Sequence, residues 1–158
     1  MRALIVSDTH GQIRSVTDWM EAQAETFDEI WHLGDYDRDA EGFKALCHLP
    51  VYSVKGNCDL GSSGREHIIL ERMGKRIVLT HGHLERVKGG LTTLYVFARS
   101  QEADLICFGH THQPVIFHED GIYLFNPGSP TLPRLGMPRT VGIAEINEKG
   151  IHLSHFNL

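Results

Sequence analysis

At 158 residues, with 41% hydrophobic and 22% charged side chains, the chain can bury a sizeable core and has the balance of an ordinary globular domain. Its formal charge of −5 argues against a sequence-independent grip on nucleic acid, which needs a basic surface, but not against a phosphate-bearing small molecule, because a bound cation pair would invert the local charge. No stretch approaches bilayer-spanning length, and Cys47, Cys58 and Cys107 form an odd set without metal-finger spacing, so a single cytoplasmic domain over 1–158 is expected, with no membrane partner.

In chain order, residues 2–7 read as a buried strand; the apolar run from Met1 is too short for a signal peptide. Ile13, Val16, Met20 and Ala24 recur at helical spacing and predict a helix over 12–25. A strand at 29–33, a helix at 40–49 stopped by Pro50 and a strand at 51–54 follow. That alternation means parallel strands joined by crossovers. Hairpins are then expected from 66–70 with 75–80, from 115–118 with 122–125, and from 141–146 with 151–156. Between the first two lie a helix at 89–101 and a buried strand at 105–108. The front half is thus α/β and the back half mostly antiparallel β. The fold class is α/β: two central mixed β-sheets packed together with helices outside, a four-layer α/β/β/α sandwich.

Five polar clusters fall where these strands end: Asp8-Thr9-His10, Gly34-Asp35, Gly56-Asn57, His81-Gly82-His83 and Gly109-His110-Thr111-His112. In an open α/β sheet, ligands gather beyond the carboxyl ends of the strands. Their donors are hard oxygens and imidazole nitrogens, too many for one ion and about right for two. An extended backbone would point Asp8 and His10 to one side, and His110 and His112 likewise. Asp35 can give one oxygen to each ion. We assign one ion to Asp8, His10, Asp35 and His112, and the other to Asp35, Asn57, His81 and His110. Mixed N/O ligation suits manganese, iron, zinc or nickel, with magnesium also open. Taken singly, Asp8-Thr9-His10 reads as a helix cap, Gly34-Asp35 as a turn and Gly56-Asn57 as a loop. Two histidines ending a buried strand are harder to dismiss, because they are costly without partners.

The ordered set Asp-x-His, Gly-Asp, Gly-Asn, His-Gly-His and Gly-His-Thr-His, from Asp8 to His112, resembles the calcineurin-like metallophosphoesterases. Asn126-Pro127-Gly128-Ser129 is similar to the small prokaryotic YfcE-type phosphodiesterase branch. The resemblance implies metal-dependent phosphoester hydrolysis, with manganese foremost and diesters as substrates. A metal-bridging hydroxide would attack phosphorus. One position departs from the wider family: Cys58 follows Asn57 where a histidine usually protonates the leaving group. His83 is the nearest replacement, against a plain contact with backbone. His83, Asp35 and Asn57 are therefore the expected catalytic residues. A phosphomonoesterase, or a scaffold of the same fold as in the retromer coat, are the alternatives. Such scaffolds usually lose histidine ligands, and this chain keeps them. The partner is expected to be a small phosphoester, with a homodimer or higher homo-oligomer left open.

Overall fold

The computed structural model describes residues 1–24 and 26–158. The elements run β1 (Arg2–Val6), α1 (Arg14–Glu21), β2 (Glu29–His32), α2 (Asp39–Cys47), β3 (Val51–Ser53), β4 (His67–Arg72), β5 (Lys75–Thr80), α3 (Thr92–Ser100), β6 (Leu105–Cys107), β7 (Pro114–Glu119), β8 (Ile122–Pro127), β9 (Thr140–Asn147) and β10 (Gly150–Asn157). One sheet has the order β10-β9-β1-β2-β3 and the other β4-β5-β6-β8-β7.

Alternation along the strands builds the layers. In β1, Ala3 and Ile5 face the second sheet, where they join Trp31, Ile77, Leu79, Leu105, Cys107 and Phe125 in a shared core. Leu4 and Val6 face the opposite way, onto Val16 of α1 and Phe43 of α2. In the second sheet, Val78 and Ile106 point outward onto Leu94 and Ala98 of α3. The result is the expected helix–sheet–sheet–helix stack.

The back half is mostly antiparallel, as expected: β4 with β5, β7 with β8, β9 with β10 and β9 with β1. The exception is β6, which pairs parallel with both β5 and β8, and the β9–β10 hairpin returns to the first sheet beside β1. The three residues of β6 are wholly buried, the environment in which parallel strands are found. Two expectations are corrected. The first helix is shorter than 12–25: it spans Arg14–Glu21, and residue 25 lies outside the described residues. The helix expected from 89 begins at Thr92, because Gly90 sits at φ +133° and breaks the spiral after a short 3-10 turn at Val87–Gly89. α2 ends where His48 takes a left-handed conformation, ahead of Pro50. The first two hairpins turn tightly on Met73-Gly74 and Asp120-Gly121, all four residues with positive φ, as tight hairpins prefer.

Candidate metal centre

The C-terminal ends of β1, β2 and β3 in one sheet meet those of β5 and β6 in the other. Main-chain and side-chain bonds tie these ends together. Asp8 N–H donates to the Gly34 carbonyl at 3.0 Å, and Gly109 N–H to the His81 carbonyl at 3.0 Å. Across the sheets, His110 N–H donates to Asp8 Oδ2 at 3.1 Å. His81 Nδ1 lies 2.7 Å from the Leu33 carbonyl. At Gly109 the sheets touch: a Cβ there would fall on Ser7 Oγ and lie 2.9 Å from Asp8 Oδ2.

All seven expected ligands converge on this edge. Asp8, His10, Asp35 and His112 each offer one ligand atom, and these atoms all lie within 4.8 Å of one another. Asp35 stands between two groups: its Oδ2 is 3.9 Å from His10 Nε2, and its Oδ1 is 3.4 Å from His81 Nε2. On that second side, His81 Nε2 is 3.2 Å from Asn57 Oδ1, and the His81 and His110 rings are 5.0 Å apart. His83 joins them, 5.4 Å from the His81 ring and 6.2 Å from that of His110.

The tautomers show what these donors lack. With a carbonyl at Nδ1, the neutral His81 ring carries its proton there and offers a lone pair at Nε2. That lone pair faces Asn57 Oδ1 and Asp35 Oδ1, neither of which has a hydrogen to give. His112 is placed alike: Nδ1 meets the Leu132 carbonyl, and Nε2 points at Asp8 Oδ1, 3.2 Å away, where a proton or a metal ion can lie between them. Asp8 Oδ1 and His10 Nε2 are buried atoms without a hydrogen-bond partner. Lone pairs gathered this way need a cation between them. A carbonyl on the far nitrogen is the usual support of a metal-binding imidazole, so the residues fit a divalent metal.

The electrostatics agree. Burial acts to raise Asp8, but His112 and His81 outweigh it and hold the carboxyl below its ordinary value. Asp8 in turn raises His112, so a proton on His112 competes with metal for that place. Burial, then His81 and Lys88, push His110 down to about 4, which keeps its imidazole neutral and free to ligate.

Extended backbone does not explain the paired ligands, contrary to the i, i+2 expectation. Asp8, His10, Asp35, His110 and His112 have φ of 55°, 46°, 54°, 66° and 55°, in the left-handed region. Five of the seven expected ligands thus sit where non-glycine residues seldom do, a concentration of strain typical of working sites. Gly56 is required for space: a Cβ there would land on Asp35 Oδ1.

Several residues that complete the centre went unassigned in the sequence. Asp59 Oδ1 accepts the N–H groups of Tyr36 (2.8 Å) and Asp37 (3.0 Å), and its Oδ2 accepts that of Gly56 (2.7 Å). It clamps the Asp35 and Asn57 loops together. Asn126 Nδ2 donates to the Gly109 carbonyl at 2.8 Å, and the Ser129 and Thr131 hydroxyls donate to the Asp8 carbonyl at 2.9 and 3.1 Å. Asp37 and Asp39 act as braces: Asp37 takes the Ser62 hydroxyl, and Asp39 takes the Thr9 hydroxyl and Gly11 N–H. Asp59 follows Gly56 at the spacing of a side-chain-capped turn, which is the one signal that could have marked it. His32 is buried with Nε2 2.9 Å from Thr9 Oγ1. Arg38 lies over the Tyr36 ring, and Arg14 pairs with Asp18. Cys58 is exposed, and burial together with Asp35 pushes its thiol up to about 11, so it stays protonated near neutrality and is no nucleophile.

The calcineurin-like phosphoesterase superfamily domain matches residues 1–149. The chain belongs to that superfamily. It is similar to the probable metallophosphoesterase YsnB of Bacillus subtilis, 36% identical over 138 residues that cover 85% of this chain and 78% of the relative. It is 26% identical to the phosphodiesterase YfcE of Escherichia coli, covering 92% and 88% of the two chains. Among solved structures, a predicted phosphoesterase from Streptococcus pneumoniae superposes with a TM-score of 0.83 at 26% identity, covering 99% of this chain and 88% of that one. Vps29 from Entamoeba histolytica, complexed with zinc, shares the fold with a TM-score of 0.80 at 20% identity, each chain 99% covered. A calcineurin-like phosphoesterase is a metal-dependent hydrolase family member, and the cluster around Asp8 and Asp35 is where this one would hold metal.

Proposed function

We propose that this calcineurin-like phosphoesterase is a dinuclear phosphodiesterase acting on a small phosphoester, with manganese as its working metal. The observation that carries this reading is Asp35, which turns one oxygen toward His10 and the other toward His81. Asp8, His10, Asp35 and His112 would hold one ion, and Asp35, Asn57, His81 and His110 the other. Bound there, two such ions supply Lewis acidity at phosphorus and activate a water.

The protein's own part is to fix the donors. Carbonyls of Leu33 and Leu132 set the tautomers of His81 and His112, and Asp59 holds the Asp35 loop. Hydrolysis breaks the P–O bond to the leaving alcohol, whose oxygen needs a proton or a hydrogen-bond donor. His83 is the side chain we assign to it. Its Nδ1 is without a partner, and burial followed by His81 lowers its pKa, so it serves as a neutral N–H donor. A donor of this kind matters most for poor leaving groups. His83→Gln is expected to slow an alkyl diester by about a hundredfold and a p-nitrophenyl diester by far less. Equal losses on both would remove His83 from that role.

A monoester carries one more negative charge. The likeness to the phosphodiesterase YfcE favours a diester. The three free thiols accord with a reducing, cytoplasmic setting. The test is to strip the protein, reload it with manganese, iron, zinc, nickel or magnesium, and compare bis(p-nitrophenyl) phosphate with p-nitrophenyl phosphate. Faster diester cleavage, greatest with manganese, is expected. A faster monoester rate would move the assignment to phosphomonoesterase. Bound metal without any turnover would favour a scaffold of the Vps29 kind.

A further inference from the structure

Beside the His110–His112 edge runs a groove of about 620 Å³, a size usual for small-molecule sites, which span roughly 300–1,000 Å³. Val87, Leu91, Val115 and Leu132 give it an apolar lining. Lys88, Gln113 and Arg134 also line it. Lys88 belongs to the turn that follows the His81–His83 loop. Arg134 is anchored at two points: its backbone N–H donates to the His112 carbonyl at 3.0 Å, and its Nη1 donates to Gln113 Oε1 at 3.1 Å.

The charges of these two residues are unspent. Several lysines and arginines here find a carboxylate: Lys44 pairs with Glu41, Lys55 with Glu66, Arg72 with Glu29, Lys75 with Asp104 and Arg76 with Glu71. Lys88 and Arg134 have none within 4 Å among the described residues, in a chain with 20 acidic and 15 basic side chains. Lys88 and Arg134 line the same groove as His110 and His112. A half-fixed guanidinium and an ammonium over an apolar wall match an organic body that ends in a tetrahedral oxyanion.

We propose that this groove holds one organic arm of the diester, and that Lys88 and Arg134 bind a second phosphoryl group carried by that arm. The substrate class is then a small, nucleotide-sized diester with an additional phosphate, not a polymer, for which the net charge is wrong. The assignment rests on the phosphodiesterase reading, and its test is built to fail separately from it.

The matched probes are the p-nitrophenyl ester of thymidine 5′-phosphate and the same ester bearing a 3′-phosphate. In both, water gives its oxygen to phosphorus, the P–O bond to p-nitrophenolate breaks with the electron pair on oxygen, and the protons pass to solvent. With manganese supplied, the 3′-phosphate is expected to raise kcat/KM about tenfold, chiefly through KM. The K88M/R134Q double variant is expected to bring the ratio to near one. Because the readout is a ratio within one protein, general damage to catalysis cancels. Calorimetry gives a second readout: thymidine 3′,5′-bisphosphate should bind about tenfold tighter than thymidine 5′-phosphate, and the double variant should erase that difference. A wild-type ratio near one, or a preference that survives in the double variant, overturns the assignment. If neither ester is cleaved with any metal, the phosphodiesterase reading falls, and the calorimetric comparison alone decides the groove.

Discussion

Asp35→Ala is expected to lower kcat/KM by roughly a thousandfold or more, with the fold retained. The side chain faces both groups of donors, so its removal weakens each at once. Metal content by elemental analysis should fall along with activity. The backbone complicates the choice of variant, since Asp35 has φ +54°. Alanine in the left-handed region costs on the order of 1–2 kcal/mol, whereas asparagine tolerates it. Asp35→Asn is therefore the companion measurement: it keeps an oxygen for the Cys58 N–H, 2.9 Å away in the native chain, but loses the charge. Activity should be lost in both variants, and thermal stability more in the first. Wild-type turnover by metal-stripped and reloaded Asp35→Ala would remove the bridging assignment.

The second large effect is expected at a residue that touches none of the proposed ions. Asp59 gathers three backbone N–H groups, two on Oδ1 and one on Oδ2. Substitution of a supporting residue of this kind costs about 10–100-fold in metal affinity. Asparagine should be nearly as harmful as alanine. Its oxygen can keep Tyr36 and Asp37 only by turning its own N–H₂ toward the Gly56 N–H, donor against donor. Calorimetric manganese titration of Asp59→Ala and Asp59→Asn checks this, with Asp35 untouched in both. Native affinity in the asparagine variant would show that Asp59 positions nothing.

The convergence of the donors was legible in the sequence because they stood in pairs at the ends of apolar runs. His110 and His112 closing Leu105–Phe108 made that pattern hard to read otherwise, and the structure brings them to Asp8 from the other sheet. The two-sheet stack was legible from strand alternation, as Ala3 and Ile5 against Leu4 and Val6 illustrate. Backbone conformation was not. Nothing in Asp8-Thr9-His10 announces two left-handed residues, because that geometry is imposed by Gly34 and by the hydroxyls of Ser129 and Thr131, far away along the chain. The return of β9 to β1 was hidden for the same reason. A hairpin pattern records which residues alternate and is silent on which edge it will join. Asp59 escaped because a carboxylate beside a glycine turn looks the same whether it faces water or three N–H groups. Helix limits slipped where one residue decided them, Gly90 for α3 and His48 for α2.

The pairing of Ala3 with Ala144 has a consequence for how the protein is made. β1 occupies the middle of its sheet, and one of its neighbours, β9, is synthesised long after it. At about 5–20 residues per second, that edge waits roughly ten seconds for its partner. During this interval a run of Leu4, Ile5 and Val6, wholly buried in the finished molecule, has an unpaired border. The nascent chain is thus exposed to mispairing with other chains at β1, and chaperone dependence during translation should concentrate there.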